Sequence, residues 1–140
     1  MSQVLIVDDE ATIRNQFRDF LANWNVEVLV AGSLPEAEHL IAGHDVGVII
    51  QDLFLDAPVT QVYEFIEKHC GPDLGREAIV ITGYLAKADF RRMVDIGAYC
   101  FFEKPVSLDE LLIATWAAEG RADRMALVNG RRGRATLSGS

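Results

Sequence analysis

The sequence predicts an α/β fold in which a five-stranded parallel sheet is covered on both faces by helices. Three observations lead there. Short apolar runs alternate with helical patterns in five strand-then-helix units joined by short connections. The stretch VGVIIQD at 46–52 has five apolar or Gly residues among its first six, which suits a strand buried on both faces. Polar residues able to do chemistry stand where strands end: Asp8 and Asp9, Asp52, Thr82 and Lys104. Crossovers in such a sheet are right-handed.

Gln3–Val7 is a short β-branched strand that runs into the acidic triplet Asp8-Asp9-Glu10. In the helix that follows, Ile13, Phe17, Phe20, Leu21 and Trp24 recur at helical spacing, with Arg14, Arg18 and Asp19 off that stripe. Asn25 breaks it, and Val26–Ala31 is the second strand. Ser33-Leu34-Pro35-Glu36 is a capping-box start with Pro in the first turn, opening a helix to about Ala42 that Gly43 stops. After the strand at 46–52, Pro58 disfavours a helical residue just before it. Val62, Phe65, Ile66 and Cys70 then mark the inner face of a helix that Gly71-Pro72 ends. Ala78–Thr82 is the fourth strand. A helix around Ala86–Ile96 presents Phe90, Met93, Val94 and Ile96 and stops at Gly97, Tyr99–Phe102 is the fifth strand, and Ser107-Leu108-Asp109-Glu110 caps the last helix.

Strand 2 carries no comparable polar end, which fits the flavodoxin-like order 2-1-3-4-5, with strand 2 at an edge and a crevice between strands 1 and 3. Asp52 alone is open to two readings, a site carboxylate or a polar residue that ends a strand. In this topology, however, the three Asp converge. Carboxylates within ~4–6 Å raise one another's pKa unless a cation joins them. Hard oxygen ligands suit Mg²⁺ together with an oxyanion, for which a phosphoryl group is the natural candidate. Lys104 and the Thr82 hydroxyl would serve its remaining oxygens.

The 140 residues, half of them apolar, fit one domain with a full core. The net charge is −8; from Glu119 onward five Arg face two acids, leaving −11 on residues 1–118, which should repel bare nucleic acid. Met1-Ser2-Gln3 runs straight into VLIVDD and no apolar run nears the ~18–20 residues that span a bilayer, so a cytoplasmic protein without membrane contact is expected. Cys70 and Cys100 are read as reduced packing residues, and His39, His44 and His69 as surface or helix-end residues.

Asp8-Asp9, Asp52-Leu53, Thr82-Gly83 and Lys104-Pro105, in that order and at these intervals, resemble the receiver domain of bacterial two-component response regulators, as does GAYCFFEKP at 97–105. The resemblance covers roughly residues 3–118. It implies that Asp52 is the phosphoacceptor for a sensor histidine kinase or phosphotransfer protein. Mg²⁺ would be held by Asp9, Asp52 and the main-chain carbonyl of Phe54, with Asp8 supporting it through water. Such a domain takes part in its own phosphotransfer and slow dephosphorylation without being a turnover enzyme. Thr82 and Phe101 match the family's switch pair, in which the hydroxyl moves to the phosphoryl group and the aromatic turns inward. The surface of helix 4, strand 5 and helix 5, with Phe90, Arg91, Arg92, Tyr99 and Glu103, would then meet an output partner or a missing output domain. Shifting it from about 1:99 to 99:1 takes roughly 5.5 kcal/mol.

Two features depart from the family pattern: Asp56 stands where Pro is usual and Thr60 where Gly is usual, so the loop after Asp52 should differ. The end of the chain is also unusual. Residues 1–119 read as the receiver and 120–140 as a helix extension with a flexible basic tail. Either the last helix runs unbroken to Val128, ~31 Å long and projecting, or Gly120 ends it. Met125, Leu127 and Val128 would need burial if it projects, and a homodimer through that helix or through the helix 4, strand 5 and helix 5 surface is an open expectation. Other readings fare worse. A metal-dependent phosphohydrolase would want D-x-D after strand 1, and a flavin carrier would be repelled by the acidic triplet. A receiver-shaped module that signals without phosphorylation remains the closer rival.

Overall fold

Alternate side chains of the central strands point into two separate apolar layers, and this sets the architecture. The computed structural model describes residues 2–84 and 87–129. Strands β1 (Gln3–Val7), β2 (Val28–Ala31), β3 (Val46–Asp52), β4 (Glu77–Thr82) and β5 (Cys100–Glu103) form one parallel sheet in the order 2-1-3-4-5. Helices α1 (Ala11–Ala22) and α5 (Leu108–Val128) cover one face; α2 (Leu34–Gly43), α3 (Val59–His69) and α4 (Phe90–Asp95) cover the other. Val4, Ile6, Val48, Ile50, Ile79 and Ile81 meet Phe17, Leu21 and Leu111 in the first layer. Leu5, Val7, Ile49, Ala78 and Val80 meet Val62, Phe65, Ile66 and Met93 in the second. The period-2 pleat thus sends successive residues of one strand to opposite cores. All seven residues of β3 are buried, as a central parallel strand requires.

The expected fold class and strand order are those observed, and several boundaries differ for local reasons. Val26 is not in β2: its N–H bonds the Leu21 carbonyl at 3.2 Å and closes the end of α1, while Asn25 takes a left-handed φ of 63°. Strand β4 begins one residue earlier, where Glu77 pairs with Val48, and β5 runs one residue later than expected, ending with Glu103 beside Thr82. Trp24 is not part of the buried stripe of α1. It is half-exposed beyond the helix, edge-on to Trp116 at 6.1 Å between ring centres.

Helix α4 starts at Phe90, where the Asp89 carboxylate accepts the Arg92 N–H at 3.0 Å and caps it. Val94, expected on its inner face, is exposed. Ser33 and Ser107 cap α2 and α5 as predicted, accepting from the Glu36 and Glu110 N–H groups. A 3-10 turn, Pro72–Leu74, was not anticipated.

Gly120 does not end α5, which runs 21 residues to Val128. Its second half stays on the body: Ala118 and Ala122 are buried, Arg121 Nε lies 3.4 Å from buried Glu77, and the Asn129 amide donates to the Pro72 carbonyl. Met125 is half-buried there, whereas Leu127 and Val128 are exposed. Residues 85–86, where the fourth helix was expected to begin, and the basic tail from Gly130 lie outside the described residues. No helix among the described residues is long and apolar enough to cross a membrane.

Candidate functional site

The carboxyl ends of β1, β3, β4 and β5 meet at one end of the sheet, and they bring five of the predicted side chains together. Oxygens of Asp8, Asp9 and Asp52 all lie within 4.8 Å of one another. Lys104, just past β5, places Nζ 3.1 Å from Asp8 Oδ2 and 3.5 Å from Asp52 Oδ1. Asp8 and Asp52 are buried, while Asp9 is exposed. Thr82 ends β4 fully buried, and its Oγ1 accepts the Tyr84 N–H at 2.9 Å. A cleft of about 530 Å³ opens over Asp52 and Lys104, walled by Ile13, Phe17, Phe54, Tyr84 and Val106. The Lys104-Pro105 peptide at its edge is cis.

Electrostatics mark Asp52 as the unusual member. Burial, then the charge of Asp8, pushes its carboxyl up to about 7, against the opposing pull of Lys104. Burial also works against the charge on Lys104, but Asp52 and Asp8 outweigh it and the ammonium pKa is raised. Three carboxylates facing one ammonium leave a surplus of negative charge and of hard oxygen atoms. That donor set fits a small divalent cation such as Mg²⁺, which would reverse the cost of ionising Asp52.

Several supporting residues escaped the sequence reading. Arg14, placed off the buried stripe of α1, donates through Nη1 to the Asp8 carbonyl at 2.8 Å. A Cβ on Gly32 would come within 2.9 Å of that same nitrogen, so the small residue leaves room for the guanidinium. Gln51 is fully buried and its Nε2 donates to the Asp52 carbonyl at 2.9 Å, fixing the strand end that carries the carboxylate. A lone amide inside an apolar strand was the signal. The Glu10 N–H donates to Asp8 Oδ1 at 2.9 Å. Tyr84 stands edge-on to Phe54 at 5.9 Å, with Lys87 Nζ 5.1 Å above its ring, so two aromatics form the mouth of the cleft.

Other candidate residues lie apart from the cluster. Phe101 pairs with Val80, two residues before Thr82 on the neighbouring strand, and is half-buried edge-on to Phe90 at 5.8 Å. Phe90, Arg91 and Glu103 are exposed; Tyr99 is half-buried against the α1 and α5 layer, and Arg92 reaches Glu67 on α3 at 3.1 Å. Asp56 and Thr60 are exposed, and Asp56 lines a different cavity, with Asp9 and the start of α2. His39 and His44 are surface residues, and His69 ends α3 with Nε2 2.8 Å from Glu38. Burial pushes the Cys70 thiol up to about 12 and Cys100 up to about 11, so both are packing residues with little thiolate.

Comparison with known proteins accords with this geometry. Residues 4–115 match the family described as the response regulator receiver domain. The two-component response regulator PprB of Pseudomonas aeruginosa is 27% identical over 120 residues, covering 84% of this chain and 44% of that protein. An NtrX-like response regulator of Rickettsia typhi is 32% identical over 118 residues, covering 81% of this chain and 24% of its own length. The chain therefore spans less than half the length of these relatives. Among solved structures, a CheY-like receiver domain protein from Methanospirillum hungatei JF-1 superposes with a TM-score of 0.77 at 24% identity, covering 89% of this chain and 98% of the other.

Proposed function

The chain belongs to the response regulator receiver domain family, and on that premise we propose that Asp52 accepts a phosphoryl group from a phosphohistidine of a sensor kinase or phosphotransfer protein. The observation that carries this reading is the position of Asp52, buried at the end of the central strand with Lys104 Nζ 3.5 Å away and two further carboxylates beside it. An Asp52 oxygen attacks phosphorus as the bond from phosphorus to the donor imidazole nitrogen breaks. The product is an acyl phosphate on Asp52, and the imidazole, protonated on its other nitrogen before the transfer, takes the electrons of the broken P–N bond and leaves as the neutral ring.

Each neighbour has a role in that transfer. Asp9, Asp52 and the Phe54 carbonyl would hold Mg²⁺, with Asp8 behind them, and the bound ion supplies charge that neutralises the phosphoryl oxygens. Lys104 pairs with another of those oxygens, leaving Asp8 as it does so. The Thr82 hydroxyl exchanges the Tyr84 N–H for a phosphoryl oxygen to which it donates. That turn frees space at the end of β4, and Phe101 moves inward from Phe90 to alter the α4, β5 and α5 surface. An output partner, or an output domain of a longer chain, reads the change.

The test is the intact mass of the protein after incubation with acetyl phosphate. A Mg²⁺-dependent gain of one phosphoryl group in the wild type, absent in Asp52→Ala, is expected. No gain in either protein would replace this reading with a module that signals without phosphorylation.

A further inference from the structure

We infer that Gln51 is a positioning residue for the chemistry at Asp52, retained although an apolar side chain there would give a fold at least as stable; the inference rests on the reading of Asp52 proposed above. Gln51 is the misfit of its strand. Ile49, two residues earlier on the same face of β3, belongs to the apolar layer under α2, α3 and α4, and Gln51 is fully buried. Its Nε2 donates to the Asp52 carbonyl at 2.9 Å, while its Oε1 is buried without a partner among the described residues. A carbonyl can only accept, so the amide cannot be turned over to satisfy Oε1 without setting two acceptors against each other. In water both ends of the amide are hydrogen-bonded; here one bond is made and one acceptor is left unmet, which favours folding little or not at all. Methionine has nearly the same length, no such group to satisfy, and would fill the same space.

The single bond that Gln51 makes acts on one peptide group. The Leu53 N–H donates to the Ile81 carbonyl on β4 at 2.8 Å, so across a trans peptide the Asp52 carbonyl points the opposite way, toward β1. Pairing of β1 with β3 ends at Val7 opposite Gln51, one residue short of that carbonyl. Gln51 Nε2 supplies a donor beyond the last pair. The Asp52–Leu53 peptide is thereby held at both ends, through its N–H by β4 and through its carbonyl by Gln51. Its orientation governs how the backbone leaves Asp52 and where the chain arrives at Phe54, on the wall of the cleft. Asp52 and the Phe54 carbonyl, two of the groups that would hold Mg²⁺, flank this segment. Mg²⁺ tolerates little departure from octahedral geometry, so the affinity of the site depends on how firmly the segment is fixed.

The test compares the wild type with Gln51→Met and Gln51→Asn by urea unfolding in chelator and by Mg²⁺ titration of the unphosphorylated protein, followed through amide NMR shifts. Gln51→Met should unfold at the same urea midpoint or a higher one. Gln51→Asn, whose shorter amide is buried without reaching the Asp52 carbonyl, should unfold at a lower one. Both should bind Mg²⁺ about tenfold more weakly despite these opposite effects on stability, and both should take up the phosphoryl group from acetyl phosphate more slowly at equal Mg²⁺. Affinity that falls only in Gln51→Asn, in step with stability, overturns the inference, as does a Gln51→Met that binds Mg²⁺ like the wild type or unfolds at a clearly lower midpoint. A wild type that neither binds Mg²⁺ nor gains a phosphoryl group removes the reading of Asp52 itself, and this inference with it.

Discussion

Replacing Asp52 by Asn should make the metal-free protein more stable, and increasingly so as pH rises. The side chain is buried, and its carboxyl is moved from an ordinary 3.8 to about 7, first by burial and then by Asp8. At ~1.36 kcal/mol per decade, the ionised form costs the fold at most ~4 kcal/mol. Because the folded pKa lies above the unfolded one, the folded state keeps a proton that the unfolded state has lost between those values. Stability is full below 3.8, declines as pH rises to 7, and stays low above it. Asn keeps the shape and removes the charge, and the pull of Lys104 on the carboxylate is already contained in that shift. The gain at pH 8 is then up to about 4 kcal/mol, and the difference between pH 5 and pH 8 is ~2–3 kcal/mol. Urea unfolding in chelator at the two pH values measures it. Asp52→Asn that is no more stable than wild type at pH 8, or equally stabilised at both, refutes the electrostatic reasoning. Adding Mg²⁺ should reverse the order at pH 8, stabilising the wild type more than the variant.

Other perturbations reach different parts of the account. Lys104→Met leaves Asp8 and Asp52 facing each other without their cation; a loss of about 1–3 kcal/mol at pH 8 in chelator and at least tenfold slower phosphoryl uptake are expected, by urea unfolding and timed mass spectra. Ile50→Ala empties a fully packed site on the central strand, and a thermal or urea titration should show about 2–5 kcal/mol lost. Asp89→Ala removes the only side-chain cap seen at the start of α4 among the described residues, worth about 1 kcal/mol; hydrogen exchange in α4 should rise with little change in β3. Asp56→Pro should alter the dephosphorylation rate by less than about twofold, because Asp56 is exposed and lines a cavity other than the Asp52 cleft. A larger change would show that the loop after β3 tunes the phosphoryl group after all.

Burial pattern made most of the sheet legible. A strand such as VGVIIQD has few alternatives, and the strand-end residues Asp8, Asp9, Asp52, Thr82 and Lys104 follow from the topology to one site. What escaped depended on side chains reaching across the fold. Nothing local tells that Arg14 turns back to the Asp8 carbonyl or that Glu77 is buried beneath Arg121. Helix ends were settled by single hydrogen bonds, as at Asp89, where periodicity alone ran the helix back toward Ala86. Gly120 illustrates the limit of propensity: its cost is small beside the anchoring of α5 by Ala118, Ala122 and Asn129, so the helix continues through it.

Borohydride reduction of the protein after acetyl phosphate and Mg²⁺, followed by peptide mass mapping, tests the central claim most directly. An acyl phosphate is reduced at its carboxyl carbon, so the account predicts homoserine at position 52 and at no other aspartate. Reduction at Asp8 or Asp9, or a phosphoryl group that resists borohydride and maps to a histidine or hydroxyl residue, would contradict it.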